Sequence, residues 1–355
     1  MPEIISTFKS GNQLSKHSIL SWRIAQAAVW LVGALILFCL FFYPSVGLVL
    51  FWNILIPVAP VLFVVEAGLW RNVCPLATTN LLPRHWGLSK TKKLSPGQLG
   101  VLNLVSVILL YTIVPLRHAL FNRNGLATGL LIVLMVVTGM VLGFFYEWKS
   151  AWCSGLCPVH PVEKLYGGNT LLSLPNAHCS ECQNCVVPCP DSTPNITPAS
   201  AKKTFGQQLS GLLIIGGLPG FIWGWFHVPD KTTSSINGLI GAYEMPLLGF
   251  AVSFILYVIL SSLLPAKYER RIISLFAASG VSCYYWFRIP ALLGFSGFAD
   301  DGLLIDLKKV LPNWGMTMII IASTLFFFYW LVIRKQNNRS WVIRPQFANK
   351  QKLSA

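Results

Sequence analysis

Long apolar runs recur along most of the chain, and they restrict its fold more than any other feature. About 20 consecutive apolar residues span the hydrocarbon core of a bilayer as a helix, and eight such runs are present. They cover residues 25–43, 46–65, 99–116, 126–146, 209–228, 247–264, 272–290 and 315–333. Charged residues make up only 11% of the chain, against about 25% in soluble domains. We therefore predict an all-α polytopic membrane protein with about eight transmembrane helices.

The distribution of basic residues predicts which loops face the cytoplasm. If the N-terminus lies inside, the inside segments hold 21 of the 27 Lys and Arg residues. The others lie in outside loops: Arg117, Arg123, Lys231, Arg288, Lys308 and Lys309. Because cytoplasmic loops carry the excess of Lys and Arg, this asymmetry predicts that both termini are cytoplasmic. It also accounts for the net charge of +15 without any binding of nucleic acid.

These boundaries divide the chain into five regions. They are a cytoplasmic N-terminal segment, a four-helix membrane half, a cytoplasmic loop, a second four-helix membrane half and a basic cytoplasmic tail. In order, they cover residues 1–24, 25–146, 147–208, 209–333 and 334–355. About 23 mostly polar residues precede the first apolar run, so we expect a retained segment there rather than a cleaved signal peptide.

Four cysteines lie close together in the longest predicted loop. Residues 179–190 read CSECQNCVVPCP, which has the C-x2-C-x2-C-x3-C-P spacing of bacterial ferredoxins. Zinc sites instead use two separated Cys or His pairs, and cytoplasmic thiols stay reduced rather than forming disulfides. We therefore predict a small ferredoxin-like iron–sulfur loop on the cytoplasmic side. Its predicted metal ligands are Cys179, Cys182, Cys185 and Cys189.

The spacing leaves the fourth ligand of the cluster open. In two-cluster ferredoxins the Cys that precedes Pro ligates the other cluster, so Cys189 competes with a distant Cys-Pro element for this role. The additional candidate ligands are Cys157, Cys153 and Cys74. One [4Fe–4S] cluster is predicted. A second cluster is left open, although the predicted loops hold seven cysteines, one short of two four-thiolate sites.

The additional candidates lie in an internal repeat at the predicted membrane edge. Residues 66–76 read EAGLWRNVCPL, and residues 147–159 read EWKSAWCSGLCPV. Each segment follows a predicted helical hairpin, begins with Glu, contains Trp and ends in Cys-Pro plus an apolar residue. We interpret them as two copies of one hairpin-and-cysteine unit, whose Cys-Pro elements face the ferredoxin-like loop. A chance similarity between two membrane-edge loops is the alternative.

The combination of these motifs resembles the NosR/NapH-type membrane polyferredoxins. The similarity covers residues 46 to about 200 and rests on the W-C-x3-C-P element at residues 152–158 and on the loop motif. The chain differs in having one ferredoxin motif instead of two, and Trp70 stands where the first element would carry a second Cys. The resemblance implies electron transfer at a bacterial inner membrane, with a redox partner protein and a quinone as candidate partners.

Two histidines near the predicted outer membrane edge are candidate haem ligands. His118 follows the third predicted span, and His227 lies at the end of the fifth. Together they could ligate a b-type haem that takes electrons from quinol. Lone histidines at membrane interfaces are more often hydrated polar anchors, so both interpretations are kept.

The leading function hypothesis is a membrane-bound iron–sulfur protein that passes electrons between a quinol or ferredoxin-type donor and a redox partner. The alternative is an assembly or maturation factor that uses its cluster and the Cys153/Cys157 pair to reduce another metalloenzyme. Either way, we expect an electron carrier or oxidoreductase subunit rather than a stand-alone enzyme. A transporter is disfavoured because ionisable residues are nearly absent from the predicted spans.

Overall fold

The chain folds as a bundle of apolar helices in the computed structural model. Described are residues 10–11, 15–146, 151–175, 204–229, 236–295, 302–335 and 342–345. Within those ranges, eight helices are long and apolar enough to cross a membrane. They are His17–Phe42, Pro44–His85, Pro96–Phe121, Gly125–Phe145, Phe205–Trp225, Asn237–Leu263, Ala266–Leu292 and Asn313–Ile333. The prediction of a helical chain with about eight candidate membrane spans is confirmed.

The first half of the bundle contains six α-helices, which we number in chain order. Two of them continue into π-helical turns, at Val49–Leu55 and Arg117–Phe121. The helices are α1 (Lys16–Phe42), α2 (Pro44–Leu48), α3 (Ile56–Val73), α4 (Pro75–His85), α5 (Pro96–Leu116) and α6 (Gly125–Phe145). The second span is therefore longer than the predicted 46–65, because helical structure continues past the backbone break at Glu66 (φ −153°, ψ 74°).

A compact connection follows the first half, and the second half contains four longer helices. The connection consists of the π-helical turn Trp152–Leu156, helix α7 (His160–Tyr166) and the 3-10 turn Gly167–Asn169. The later helices are α8 (Phe205–Trp225), α9 (Ile236–Leu263), α10 (Glu269–Leu292) and α11 (Asn313–Phe328). A 3-10 turn, Ala266–Tyr268, precedes α10, and a π-helical turn, Tyr329–Ile333, follows α11.

Three very short strands join distant parts of the chain at one end of the bundle. They are β1 (Ser10–Gly11), β2 (Leu174–Pro175) and β3 (Val342–Pro345), and β3 pairs in parallel with both of the others. The sheet thus links the segment before α1, the segment after α7 and the segment after the last helix. We call this end of the bundle the sheet end.

The break in α3 fixes the chain that follows α7. The break at Glu66 makes the neighbouring Val65 carbonyl oxygen available outside the helix. It accepts a hydrogen bond from the Leu171 N–H at 2.9 Å. The Glu66 carboxylate accepts another from the Leu172 N–H, also at 2.9 Å. The sequence placed Glu66 at the end of a helix, but it lies inside α3 and anchors the connection that leads to β2.

The second half packs around small residues and aromatic rings. Helices α8 and α9 approach so closely at Gly220 that an added Cβ would lie 1.9 Å from the Gly249 carbonyl oxygen. Small residues allow such backbone contact between membrane helices. Beside this contact lies the main hydrophobic core, which includes the buried side chains Phe63, Val107, Leu218, Phe276 and Phe327 from both halves.

Candidate thiol site at the sheet end

Three cysteines from the two repeated segments come together at the sheet end. Cys153 is buried, and Cys74 and Cys157 pack half-buried against the same group of apolar side chains, which is centred on Ala77 and Trp152. We call Cys74, Cys153 and Cys157 the thiol cluster. None of the three forms a disulfide within the described part of the chain. The two Cys-Pro elements therefore lie side by side, as the repeat interpretation requires.

Both Cys-Pro elements have nearly the same backbone conformation. Cys74 has φ −54° and ψ 122°, and Cys157 has φ −61° and ψ 118°. A residue before proline is driven out of the helical region, so each Cys ends one helical segment. A new helix begins at the first proline, as α4, and two residues after the second proline, as α7. The shared geometry supports an internal repeat over a chance similarity of sequence.

The surroundings of Cys157 suit a sulfur that binds a cation. The backbone N–H groups of Val159 and His160 act to lower the pKa of its thiol, which favours negative charge on sulfur. Burial nevertheless raises the pKa of Cys157 to about 12, and the neighbouring Cys74 acts in the same direction. Without a cation the thiol is thus protonated at neutral pH. A bound metal ion reverses this balance, because a coordinating thiol is deprotonated outright.

A buried ion pair lies beside the thiol cluster. Arg71 on α3 contacts Glu163 on α7, with 2.7 Å between Nε and Oε1, and both side chains are about 95% buried. The Arg71 guanidinium also donates to His160 Nδ1 at 2.7 Å and to the Cys153 carbonyl oxygen at 3.4 Å. Arg71 therefore contacts the segment that bears Cys153 and the helix that follows Cys157, and it lies three residues before Cys74. We call Arg71, His160 and Glu163 the ion-pair cluster.

The short contact with Arg71 fixes the state of His160. A guanidinium can only donate, so Nδ1 of His160 must accept and the neutral ring carries its proton on Nε2. Burial lowers the pKa of His160 to about 4. Glu163 opposes this shift and the charge of Arg71 adds to it. The carboxylate of Glu163, 3.5 Å from Nδ1, is consequently held by Arg71 rather than by an imidazolium.

Sequence reasoning missed the ion-pair cluster. In the sequence, Arg71 is one of the Lys and Arg residues of the predicted inside segments, and His160 lies in the predicted cytoplasmic loop. The sequence contains one indication of this pair. Arg71 precedes one Cys-Pro element by three residues, and Glu163 follows the other by five. Two opposite charges in corresponding membrane-edge segments can pair once the segments are adjacent.

The ferredoxin-like motif is joined to the chain close to the thiol cluster. Its residues Cys179, Cys182, Cys185 and Cys189 lie outside the described residues, between β2 and Thr204. Thr204 caps α8 and lies against Gly100 on α5. One turn further along α5, Asn103 donates to the carbonyl oxygen of Ser154, which lies between Cys153 and Cys157. Thr204, the first described residue after the motif, therefore lies near the π-helical turn that carries Cys153.

The two candidate haem ligands each bond to a backbone carbonyl. His118 is buried, stacks on Trp225 and contacts the Trp225 carbonyl oxygen through Nε2 at 2.9 Å. His227 contacts the Trp223 carbonyl oxygen through Nδ1 at 2.7 Å and stacks on the Trp223 ring. A carbonyl accepts only, so both contacting nitrogens carry protons. Haem ligation stays a prediction, and it would have to use the other nitrogen of each ring.

The described residues contain no group of three or more His, Cys, Asp or Glu side chains arranged to hold a metal ion. The chemistry of the thiol cluster nevertheless fits a soft metal centre, because it combines three thiols with an apolar surrounding. Ligation of a cluster here would need further thiolates, and the chain supplies them in the motif that precedes Thr204.

No protein-family model, no curated protein and no solved structure matches this chain. The resemblance to the membrane polyferredoxins therefore rests on the cysteine motifs alone. The function has to be argued from the residues and their arrangement.

Proposed function

We propose that the chain is a membrane-bound iron–sulfur electron-transfer protein. In this proposal the ferredoxin-like loop supplies Cys179, Cys182 and Cys185 to a [4Fe–4S] cluster at the sheet end. The observation that supports it most is the meeting of three buried or half-buried thiols at the place where the loop rejoins the bundle. Free cysteines are often buried as small apolar groups, so it is the meeting of three thiols near a ferredoxin-type motif, and not their burial alone, that favours metal binding.

The seven cysteines allow two ligand sets for a single cluster. Cys189 completes one set within the loop, as in single-cluster ferredoxins. Cys157 completes the other, because it lies in the thiol cluster and follows the Cys-Pro pattern of a distant fourth ligand. Hydrogen bonds to cluster sulfurs and burial both set the reduction potential. When bound, the cluster would supply one-electron chemistry, and the chain would hold it in a dry environment near the membrane surface.

The proposed role needs no substrate chemistry. A quinol or a ferredoxin-type protein would donate the electron, and a redox partner would receive it. We propose that the sheet end faces the cytoplasm of a bacterial inner membrane, because Lys and Arg are concentrated in the segments that meet there.

The assembly-factor alternative is less well supported. Thiol exchange with a partner needs an accessible thiolate. Cys153 is only 8% exposed, and the pKa of Cys157 is raised to about 12 by its burial. Both features slow attack on a partner disulfide, whereas they do not hinder ligation of a metal centre.

Metal analysis of anaerobically purified protein tests the proposal. One cluster corresponds to about four irons and four sulfides per chain, and two clusters to about eight. We expect an EPR signal after reduction with dithionite, and loss of iron in Cys182→Ser. The matched control is Cys39→Ala, which removes a buried cysteine of α1 outside the thiol cluster and should keep its iron.

A second pair of variants identifies the fourth ligand. Cys189→Ser and Cys157→Ser are compared, and the substitution that abolishes the EPR signal marks the ligand. Wild-type protein that binds zinc or no metal after anaerobic reconstitution with iron and sulfide would refute the proposal.

A further inference from the structure

A cavity of about 350 Å³ opens between α8, α9 and α10 at the sheet end. Its wall combines apolar side chains such as Leu212 and Ile272 with four polar ones. The polar residues are Gln208, Tyr257, Ser261 and Glu269. The cavity lies in the second half of the bundle, and none of its lining residues belongs to the thiol cluster or the ion-pair cluster.

The tyrosine in this cavity has an unsatisfied hydroxyl group. Tyr257 is only 2% exposed, its ring packs edge-on against Phe276, and its hydroxyl makes no hydrogen bond to any described residue. Buried hydroxyl groups are nearly always hydrogen-bonded. Tyr257 lines the cavity, so a molecule bound there can form a hydrogen bond with its hydroxyl group.

The rim of the cavity carries one carboxylate. Glu269 begins α10, is partly exposed and forms no ion pair with the described residues. It lies close enough to Tyr257 to act on it electrostatically. Among the residues that line the cavity, Glu269 alone is charged. The adjoining turn adds exposed cations in Lys267, Arg270 and Arg271.

The polar groups follow a definite order of depth. Tyr257 lies six residues before Leu263, the last residue of α9, which places it about 9 Å below the helix end at 1.5 Å per residue. Charges of both signs lie at the rim and the Tyr257 hydroxyl lies deeper, with apolar side chains both at the rim (Leu264) and below it (Leu212). A phospholipid has the same order: a charged headgroup, ester carbonyls some distance below it, and acyl chains.

We propose that this cavity binds a phospholipid whose headgroup ends in a primary ammonium, that is, phosphatidylethanolamine. Glu269 accepts hydrogen bonds from the ammonium, the basic side chains of the turn contact the phosphate, and Tyr257 donates to an ester carbonyl. A carboxylate at the rim disfavours anionic headgroups without an amine. A choline headgroup carries a charge but has no N–H to donate.

Native mass spectrometry of the purified full chain in detergent tests the assignment. Phosphatidylethanolamine, phosphatidylcholine and phosphatidylglycerol with identical acyl chains are titrated separately. We expect the wild type to bind the ethanolamine lipid most tightly. Tyr257→Phe should weaken binding about fivefold, since one neutral hydrogen bond is lost. Glu269→Gln should weaken it about tenfold or more and remove the preference for ethanolamine over choline.

Two controls separate this site from general lipid binding. Tyr329→Phe changes an exposed tyrosine elsewhere, and Glu244→Gln changes an exposed carboxylate near the other end of α9. Both should bind lipid like the wild type, and unfolding temperatures in detergent check that every variant is folded. Equal affinity of the wild type for the three lipids would overturn the proposal. So would wild-type affinity for the ethanolamine lipid in Glu269→Gln. Neither lipid affinity nor unfolding temperature reports on iron content, so the result is independent of the proposed function.

Discussion

The ion-pair cluster should dominate the stability of the sheet end, and Arg71→Met tests this. Arg71 and Glu163 are each about 95% buried and lie 2.7 Å apart. Removing one partner of a buried pair leaves an uncompensated charge and costs about 3–5 kcal/mol. Loss of the hydrogen bond to His160 adds about 1 kcal/mol. We expect Arg71→Met to lower the free energy of unfolding by about 4–6 kcal/mol.

A double-mutant cycle separates the energy of the Arg71–Glu163 interaction from the effect of the lost side-chain volume. Glu163→Gln alone should also destabilise by about 3–5 kcal/mol, because it leaves the guanidinium buried without its counter-ion. In the double variant both charges are gone, so it should be less destabilised than either single variant. Reversible unfolding in mixed detergent and SDS micelles measures all four proteins. Arg271→Met, which removes an exposed arginine at the start of α10, is the matched control and should change stability by less than about 0.5 kcal/mol.

A double variant whose destabilisation equals the sum of the two single values within about 0.5 kcal/mol would refute the reasoning.

Two further predictions concern helix packing and thiol chemistry. Gly220→Ala should destabilise the protein by about 1–3 kcal/mol in the same unfolding assay, because the new Cβ meets the Gly249 carbonyl oxygen. Gly241→Ala, on α9 with no atom within 4 Å of its added Cβ, is the control, and equal effects of the two would contradict the packing argument. In metal-free protein, the raised pKa of Cys157 should slow its alkylation by iodoacetamide at pH 8 roughly a thousandfold relative to a thiol of ordinary pKa. The rate should rise about tenfold per pH unit up to about pH 12, and a rate near that of glutathione at pH 8 would show that the thiol is not buried.

The spans could be predicted because each one depends on local composition alone. The fifth predicted span, 209–228, differs by only a few residues from the observed Phe205–Trp225. The end of the second span was misplaced at 65, because Glu66 interrupts the apolar run. Its carboxylate is satisfied by the Leu172 N–H, a contact between residues 106 positions apart that no local pattern contains.

The candidate site could be predicted in part. The repeated Cys-Pro elements indicated that Cys74 and Cys157 lie in equivalent positions, and the structure places them in one cluster. The ion-pair cluster was missed because nothing in the sequence couples Arg71 to Glu163 before the two segments are adjacent. The cluster ligands Cys179, Cys182, Cys185 and Cys189 stay predictions, since they lie outside the described residues.

The position of the thiol cluster along the chain has a consequence for synthesis. All three of its cysteines, and all three members of the ion-pair cluster, lie between residues 71 and 163. The sheet, in contrast, is complete only after residue 345 has been added. At about 5–20 residues per second, the thiol cluster can assemble in the nascent chain roughly 10–35 s before β3 leaves the ribosome. In the proposed function, the candidate cluster ligands up to Cys189 are likewise made before the second membrane half, whose first helix begins at Phe205.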